Sequence, residues 1–257
     1  SMSVEAALDE ETNNPIVKAV QVALKRAGKQ VGIGVEVDSK IPVGVGLGSS
    51  ASVVTATAAA VLKLFENVNT DGWKDVAELA YEAEKIAHGK PSGVDTAITT
   101  FGGTIAFKRG VVENIQNSKL GIVIGNTGIQ KNTKDLVAKV RKYIEDPKMA
   151  CSLYNIGSIV KQARSAMERH DISELGRLMN KNHKYLRALG VSSPELEKLV
   201  KAALDAGAHG AKLTGAGGGG CMIALTDEPQ EISRALEEAG ARAFIVKTNQ
   251  EGVRVEG

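Results

Sequence analysis

The sequence contains a glycine-rich stretch whose residue types suit it to hold a phosphate group. It runs from Pro42 to Ala51 as PVGVGLGSSA, and its glycines are Gly44, Gly46 and Gly48. Glycine adopts backbone angles that other residues avoid, and it lets a bulky anion approach the amides closely. Ser49 and Ser50 open a predicted helix whose free N–H groups and positive dipole end would face that anion. The alternative is a tight strand-to-helix turn with a serine cap.

A carboxylate lies on the apolar face of the next predicted helix. Apolar spacing predicts this helix from about Gly72 to Ala87. At the helical periodicity, Glu84 falls roughly 20° from Trp73, in the middle of the apolar stripe. A buried carboxylate is costly unless a cation or strong hydrogen-bond donors meet it. Two partners stay open: a metal ion at the phosphate loop, or a lysine or arginine in a buried salt bridge.

Asp95 follows in the segment GKPSGVDTA, where Pro91 and Gly93 predict a rigid turn that can aim one side chain. An aspartate held beside a phosphate loop suits a general base, or an anion that orients an attacking hydroxyl. The alternative is that Asp95 caps a short helix that extends through residue 98.

A second glycine run, KLTGAGGGGC, covers residues 212–221 and joins two strand-like segments. Such a run loses much conformational entropy when it becomes ordered, so it is expected where a ligand or a facing loop needs close backbone approach. A flexible linker is the alternative, which the strand-like flanks argue against.

Composition limits the class of protein. Of the 257 residues 43% are hydrophobic, and the net charge of +2 gives no reason to expect nucleic acid or an anionic membrane as a partner. No apolar run is long enough to span a bilayer, and the acidic N-terminus is unlike a signal peptide. Cys151 and Cys221 lack metal-site spacing and are interpreted as reduced core thiols. We therefore expect a soluble, cytoplasmic protein.

Helical and strand patterns alternate irregularly along the chain. Asn14 and Pro15 predict a helix start and Gly28 its end. Further helices are predicted at about 50–65, 72–87, 133–144, 152–169, 172–189, 194–206 and 230–239. Strands are predicted at 31–37, 103–108, 120–125, 211–214, 221–225 and 243–247. Because there is no regular βαβ rhythm, the expected class is α+β in two domains, 1–118 and 119–257.

Several of these segments resemble known signatures. PVGVGLGSSAS is similar to the second signature of the GHMP kinases, the superfamily of galactokinase, homoserine kinase, mevalonate kinase and phosphomevalonate kinase, and KLTGAGGGGC is similar to the third. Within the superfamily, EKIAHGKPSGVDTAITTFGGTI, NTGIQKNTKDLVAKV and MNKNHKYLRALGVSSPEL most resemble mevalonate kinases. The similarity runs from about Pro15 to the C-terminus.

The resemblance implies an N-terminal domain like the second domain of ribosomal protein S5, followed by a ferredoxin-like C-terminal domain. It implies ATP- and Mg²⁺-dependent phosphorylation of the primary hydroxyl of mevalonate, and a homodimer as in many members. Asp95 and Thr133 would be catalytic, and Glu84 with Ser50 would ligate the metal. The expected substrate contacts are His88, Ser92 and Gly93. The expected nucleotide contacts are Pro42, Gly44, Gly46, Leu47, Gly48, Ser49, Ser50, Ala51, Gly215, Ala216, Gly217 and Gly218.

The roles of two histidines stay open, whereas two arginines are assigned to the protein surface. His88 is expected to border the substrate or to make a structural hydrogen bond. His183 is expected to face the substrate or the helix surface, whereas Arg177 and Arg187 are interpreted as solvated helix charges.

One part of the family pattern has no match here. Family members open with a first signature of the form PGKxxLxGEHxVxxG, which brings a lysine that works with the aspartate, and nothing in this sequence resembles it. We therefore expect this chain to be weak or inactive in catalysis. The alternatives are another GHMP kinase, for phosphomevalonate, homoserine or a sugar, and a non-catalytic nucleotide-binding relative with a regulatory role.

Overall fold

The computed structural model describes residues 2–6, 13–39, 41, 47–65, 73–88, 91–116, 119–129, 133–143 and 147–255. The chain divides into two compact units. The first contains residues 1–43, 48–114 and 250–257, and the second contains 44–47 and 115–249. None of the helices within the described ranges is long and apolar enough to cross a membrane.

Within the described residues, the first unit contains four helices. They are α1 (Pro15–Arg26), α2 (Ser49–Phe65), α3 (Trp73–His88) and α4 (Val94–Phe101). The Asn14 side chain accepts a hydrogen bond from the Ile16 amide at 3.0 Å, so α1 begins at the predicted cap. The first three helices pack through a core of aliphatic side chains, which includes Val20, Leu24, Val61, Leu62 and Val76.

Two antiparallel pairs of strands are also described in this unit, and the second pair is a hairpin. Strand β1 (Met2–Ala6) pairs antiparallel with β2 (Ile33–Val37), and β3 (Ile105–Lys108) pairs antiparallel with β4 (Val111–Asn114). The turn between β3 and β4 has Arg109 at φ 50° and Gly110 at φ 83°. Two positive φ angles in a two-residue loop are the geometry that suits the right-handed twist of a hairpin.

The C-terminal residues return to the first unit after the second unit is complete. The Gly103 amide donates to the Gln250 carbonyl at 2.7 Å, and the Val253 amide donates to the Thr100 carbonyl at 3.1 Å. The approach is so close that a Cβ added at Gly102 would lie 2.2 Å from the Gly252 nitrogen. These contacts therefore fix the end of α4 to residues 250–253.

The second unit is built on a four-stranded antiparallel sheet in the order β6-β7-β5-β8. Its strands are β5 (Ile122–Asn126), β6 (Gly210–Leu213), β7 (Cys221–Leu225) and β8 (Arg242–Val246). Its helices are α5 (Thr133–Tyr143), α6 (Pro147–Glu168), α7 (Ile172–Ala188), α8 (Pro194–Asp205) and α9 (Pro229–Glu238). This strand order is that of a ferredoxin-like fold, as the resemblance implied.

Successive residues of each strand face opposite sides of this sheet. Val123, Met222 and Ala224 pack in one cluster with α8 and α9, and Ile122, Ile223 and Leu225 pack in another with α6 and α7. Both faces are therefore covered by helices, which leaves the loops at the strand ends to carry functional groups.

Some expectations differ from the structure. Strands β1 and β4 were not predicted, and Cys151 is exposed rather than in the core. Cys221 is buried, as expected, and burial raises its pKa to about 11. The chain passes between the units at Asn114 and returns at Gln250, so the C-terminal residues do not belong with 119–249.

We expect Gly176→Ala to lower the free energy of unfolding by about 2 kcal/mol. A Cβ at this position on α7 would lie 2.4 Å from the carbonyl oxygen of His209, which is rigid backbone at the entry to β6. Gly157→Ala is the matched control, because this helical glycine on α6 has nothing within 4 Å of its added Cβ. That substitution should stabilise by about 0.5 kcal/mol. Urea denaturation measures both, and equal effects would contradict the close packing of α7 on β6.

Candidate functional site

The N-terminus of α2 provides backbone amides next to the first glycine stretch. Gly48 has φ 72°, and its carbonyl accepts from the Ser52 amide at 2.9 Å, so the helix starts directly after it. The Ser52 hydroxyl donates to the Ser49 carbonyl at 2.8 Å. Leu47 and Ser50 are partly buried, and Ala51 is buried. Pro42, Gly44 and Gly46 lie outside the described residues.

Glu84 is buried, as its helical phase predicted, with 6% of its surface exposed. Burial raises the pKa of its carboxyl, and the nearby negative charge of Asp95 raises it further. Within the described part of the chain, no lysine or arginine forms an ion pair with it. Of the two partners left open by the sequence, the salt bridge is therefore not found among these residues.

Asp95 lies in the first turn of α4 and beside the start of α2. A Cβ added at Gly48 would be 3.9 Å from both Cβ and Oδ1 of Asp95. Partial desolvation raises the pKa of the Asp95 carboxyl above its usual value. The N-cap of α4 is Gly93, and the Val94 amide donates to the Ser92 hydroxyl at 3.3 Å, so the alternative role of Asp95 as the cap of this helix is not observed.

Three elements thus bring two carboxylates together beside a helix N-terminus. Like charges at short range disfavour the ionised forms of both groups. A cation, or the positive end of α2, would relieve this repulsion. No group of three or more potential metal-ligating side chains (His, Cys, Asp or Glu) exists in the described ranges, so a metal here would need oxygens from a ligand as well.

Ser92 and Gly93 line a cavity of about 760 Å³ within the first unit, together with Tyr81, Phe101 and Phe107. Gly93 has φ 82°, which favours glycine, and an added Cβ would also lie tightly against two rings, 3.2 Å from Tyr81 and 3.3 Å from Phe107. Glu84 and Asp95 do not line this cavity. Gly93 is nevertheless the N-cap of the helix whose first turn carries Asp95, so the expected substrate contacts Ser92 and Gly93 are close to Asp95 along the chain.

Two further expected site residues have only their backbones described. His88 is the last residue of α3, and Thr133 is the first residue of α5. Their side chains lie outside the described part of the structure, so their expected roles stay predictions.

In the second unit the glycine run is an ordered loop between β6 and β7. The Gly218 amide donates to the Val191 carbonyl at 2.6 Å, and the Gly220 amide donates to the Ile129 carbonyl at 2.8 Å. A Cβ at Gly217 would lie 2.1 Å from the Val191 oxygen, and one at Gly219 would lie 2.7 Å from the Ile129 oxygen. The flexible-linker alternative is therefore wrong, and close backbone approach is the physical reason for the glycines.

The same loop keeps amides free for a ligand. In the described backbone, no carbonyl accepts from the amides of Gly215, Ala216, Gly217 or Gly219. Successive amides in a loop with several positive φ angles form a concave surface that suits an anion. The loop is therefore a candidate phosphate or nucleotide contact in its own unit.

Sequence reasoning missed the side chains that support this loop. His183 lies neither at a helix surface nor in an open pocket: it is 5% exposed and contacts α8 and β6. Lys212 lies in β6, its Nζ donates to the carbonyl of Leu213 at 2.7 Å, and burial lowers its pKa to about 8. Arg177 and Arg187 are exposed, as expected. The sequence could have indicated a shared role for His183 and Asn180, because their spacing of three residues places both on one face of α7.

Comparisons with known proteins agree with these features. Residues 14–103 match the family described as GHMP kinases N terminal domain, and residues 163–245 match GHMP kinases C terminal. The chain is 43% identical to a mevalonate kinase of Thermococcus sibiricus over 247 residues, which covers 93% of this chain and 74% of that protein. A Pyrococcus abyssi mevalonate kinase is 42% identical and covers 93% of this chain and 73% of the relative.

Solved structures give the same result. A crystal structure of L. major mevalonate kinase in complex with R-mevalonate has a TM-score of 0.77 and 32% identity, and covers 94% of this chain and 78% of its own. The Methanococcus jannaschii mevalonate kinase has a TM-score of 0.77 and 27% identity, with coverage of 91% and 74%.

We expect Glu84→Gln to stabilise the metal-free protein at pH 8 by about 1 kcal/mol and to have little effect near pH 4. The raised pKa of Glu84 means that the folded state binds its proton more tightly than the unfolded state. The stability due to this group is therefore lost as the pH rises from its ordinary pKa through the raised one.

Thermal unfolding at several pH values, without divalent cations, measures this difference. Glu82→Gln is the matched control on the same helix, because Glu82 is exposed and pairs with Lys85 at 2.7 Å. A loss of stability in Glu84→Gln at pH 8 would mean that the carboxylate is already compensated in the folded protein.

Proposed function

This chain belongs to the GHMP kinase family and is a homologue of its mevalonate kinases, and from this we propose that it transfers the γ-phosphoryl group of ATP to the primary hydroxyl of mevalonate. The observation that carries the proposal is that Glu84 lies near Asp95, which in turn lies beside Gly48, since a protein that only binds nucleotide needs no base. The identity to mevalonate kinases over 93% of the chain supports the choice of substrate within the family.

Asp95 is proposed to hold the attacking hydroxyl and to accept its proton. Its raised pKa brings it closer to the range in which a carboxylate is an effective base. Phosphoryl transfer depends mainly on positioning and charge stabilisation, so an aspartate beside amides that face the phosphates is well suited to this step. Thr133 is proposed to lie near the transferred group.

Mg²⁺ fits the residues that are present. Glu84 supplies a buried carboxylate oxygen that lacks a cationic partner within the described ranges, and Ser50 supplies a hydroxyl at the start of α2. Hard oxygen ligands of this kind, completed by phosphate oxygens, are what this ion prefers. When bound, the ion would neutralise charge on the phosphates, and Glu84 would hold it.

The nucleotide is proposed to contact backbone amides in both glycine segments. In the first unit these are the amides from Gly48 to Ala51, at the N-terminus of α2. In the second unit they are the amides of Gly215, Ala216 and Gly217. His88, Ser92 and Gly93 are proposed substrate contacts. A homodimer and a cytoplasmic location also stay predictions from the resemblance.

We expect Asp95→Asn to lower kcat for mevalonate-dependent ADP release by about a thousandfold, with little change in the affinity for ADP. Asp75→Asn is the matched control in the same unit. Asp75 is exposed and pairs with Arg26 at 2.8 Å, so its loss should change kcat by less than about twofold.

A panel of mevalonate, phosphomevalonate, homoserine and galactose in the same coupled assay tests the substrate. Because weak turnover was expected from the sequence, ADP binding is measured in parallel by calorimetry. Turnover of another substrate, in place of mevalonate, would overturn the substrate assignment. ADP binding without any turnover would favour the regulatory alternative.

A further inference from the structure

We infer that His183 is a positioning residue that fixes the glycine loop at 215–220 by joining α7, α8 and β6. The inference rests on the proposed function only where it assigns this loop to the nucleotide. The structural part concerns one unit alone and is testable without turnover.

Strand β6 is the edge of its sheet, and α7 supplies hydrogen bonds that a neighbouring strand would otherwise make. The Ala211 amide donates to Asn180 Oδ1 at 2.8 Å, and the Leu213 amide donates to His183 Nδ1 at 3.3 Å. The Asn180 side-chain amide donates back to the His209 carbonyl at 3.3 Å. The amides of alternate residues in a strand point in the same direction, so those of Ala211 and Leu213 both face α7. Asn180 and His183 are three residues apart on one face of that helix, and each accepts from one of these amides.

These contacts determine the tautomer of His183. Because the Leu213 amide can only donate, Nδ1 must accept and carries no proton. The proton of the neutral ring is then on Nε2, which donates to Glu197 Oε1 on α8 at 2.9 Å. His183 thus bonds a strand through one nitrogen and a helix through the other.

Both of these bonded elements lead directly to the glycine loop. Leu213 is the last residue of β6, and the next amide, that of Thr214, donates to the Cys221 carbonyl at 3.0 Å. The loop then bonds through Gly218 to the carbonyl of Val191, in the connection between α7 and α8. The hydrogen bond from His183 to Glu197 holds together the two helices that this connection joins. One side chain therefore stabilises both the start of the loop, through Leu213, and the segment at Val191 to which the loop bonds.

The charges around His183 favour the neutral ring. Glu197 contacts it from α8, Arg187 on α7 lies 3.4 Å from the same carboxylate, and Lys212 approaches from β6. Burial lowers the pKa of His183 below its usual value, despite the opposing effect of Glu197. A second proton would have to replace the Leu213 hydrogen bond on Nδ1. The loop support is therefore present at neutral pH and lost as the pH falls through that lowered pKa.

Two substitutions separate the two bonds. His183→Asn keeps an acceptor at the position of Nδ1 and loses the bond to Glu197, whereas His183→Gln keeps a donor at the position of Nε2 and loses the bond to Leu213. Amide hydrogen exchange, read by NMR, follows the consequences. We expect the Leu213 amide to exchange about tenfold faster in His183→Gln only, and the Gly218 amide about tenfold faster in both variants.

His209→Asn is the matched control. His209 also pairs with a carboxylate, with Nε2 2.7 Å from Asp227 Oδ2, but it stands at the opposite end of β6 and is exposed. Its substitution should leave the exchange of Leu213 and Gly218 unchanged. Nitrogen shifts of the His183 ring give the tautomer directly, and a protonated Nδ1 at neutral pH would overturn the inference.

A functional experiment compares wild type with the two His183 variants. It measures the affinity for ADP and, where turnover is present, the KM values for ATP and mevalonate. We expect both His183 variants to weaken ADP binding by about fivefold to tenfold and to leave KM for mevalonate unchanged. On acidification the ADP affinity of the wild type should fall more than that of either variant, because only the wild type has a ring at position 183 that can be protonated.

Faster loop exchange without a change in ADP affinity would retain the positioning role and reject the assignment of this loop to the nucleotide. Unchanged exchange at Gly218 in both variants would overturn the inference, whatever the activity.

Discussion

The main electrostatic constraint in the first unit is that two carboxylates lie close together, and no cation among the described residues compensates their charge. Glu84 is held on the buried face of α3 between small side chains, and Ala80 and Ala83 are fully buried there. Asp95 is held by α4 and meets Gly48 at the start of α2. The packing that buries Glu84 beside the negative charge of Asp95 disfavours the ionised carboxyl in the protein without a cation. A bound cation, as proposed, would relieve this electrostatic cost.

In the second unit the candidate binding groups are backbone amides rather than charged side chains. Its glycine loop carries no charged side chain, so an anion bound there, as proposed, would be held by backbone amides that neighbouring residues orient. Carbonyls of Val191 and Ile129 secure two of the loop amides and leave others free. An amide in a fixed position needs no reorganisation when an anion arrives, which is why a rigid loop is more effective than a flexible one of the same composition.

Local patterns in the sequence carried much of this information. Helical periodicity alone identified Glu84, and the caps and glycines located most helix ends within a residue or two. Strand β4 was missed because its turn, Arg109–Gly110, places a non-glycine residue at positive φ, which is a weak hairpin signal. Cys151 was wrongly predicted to lie in the core, because apolar and polar residues are mixed around α6 and do not define a buried face for it. His183 could not be assigned because its partners, Glu197 and Leu213, are brought to it only by the tertiary fold.

The return of the C-terminal residues to the first unit has a consequence for synthesis on the ribosome. The contacts of Gly102 and Thr100 with Gln250 to Val253 cannot form until those residues have left the exit tunnel. Strand β8 of the second unit ends at Val246, only a few residues before Gln250. Although most of the first unit is translated much earlier, it therefore waits for the same late stretch of chain that completes the sheet of the second unit.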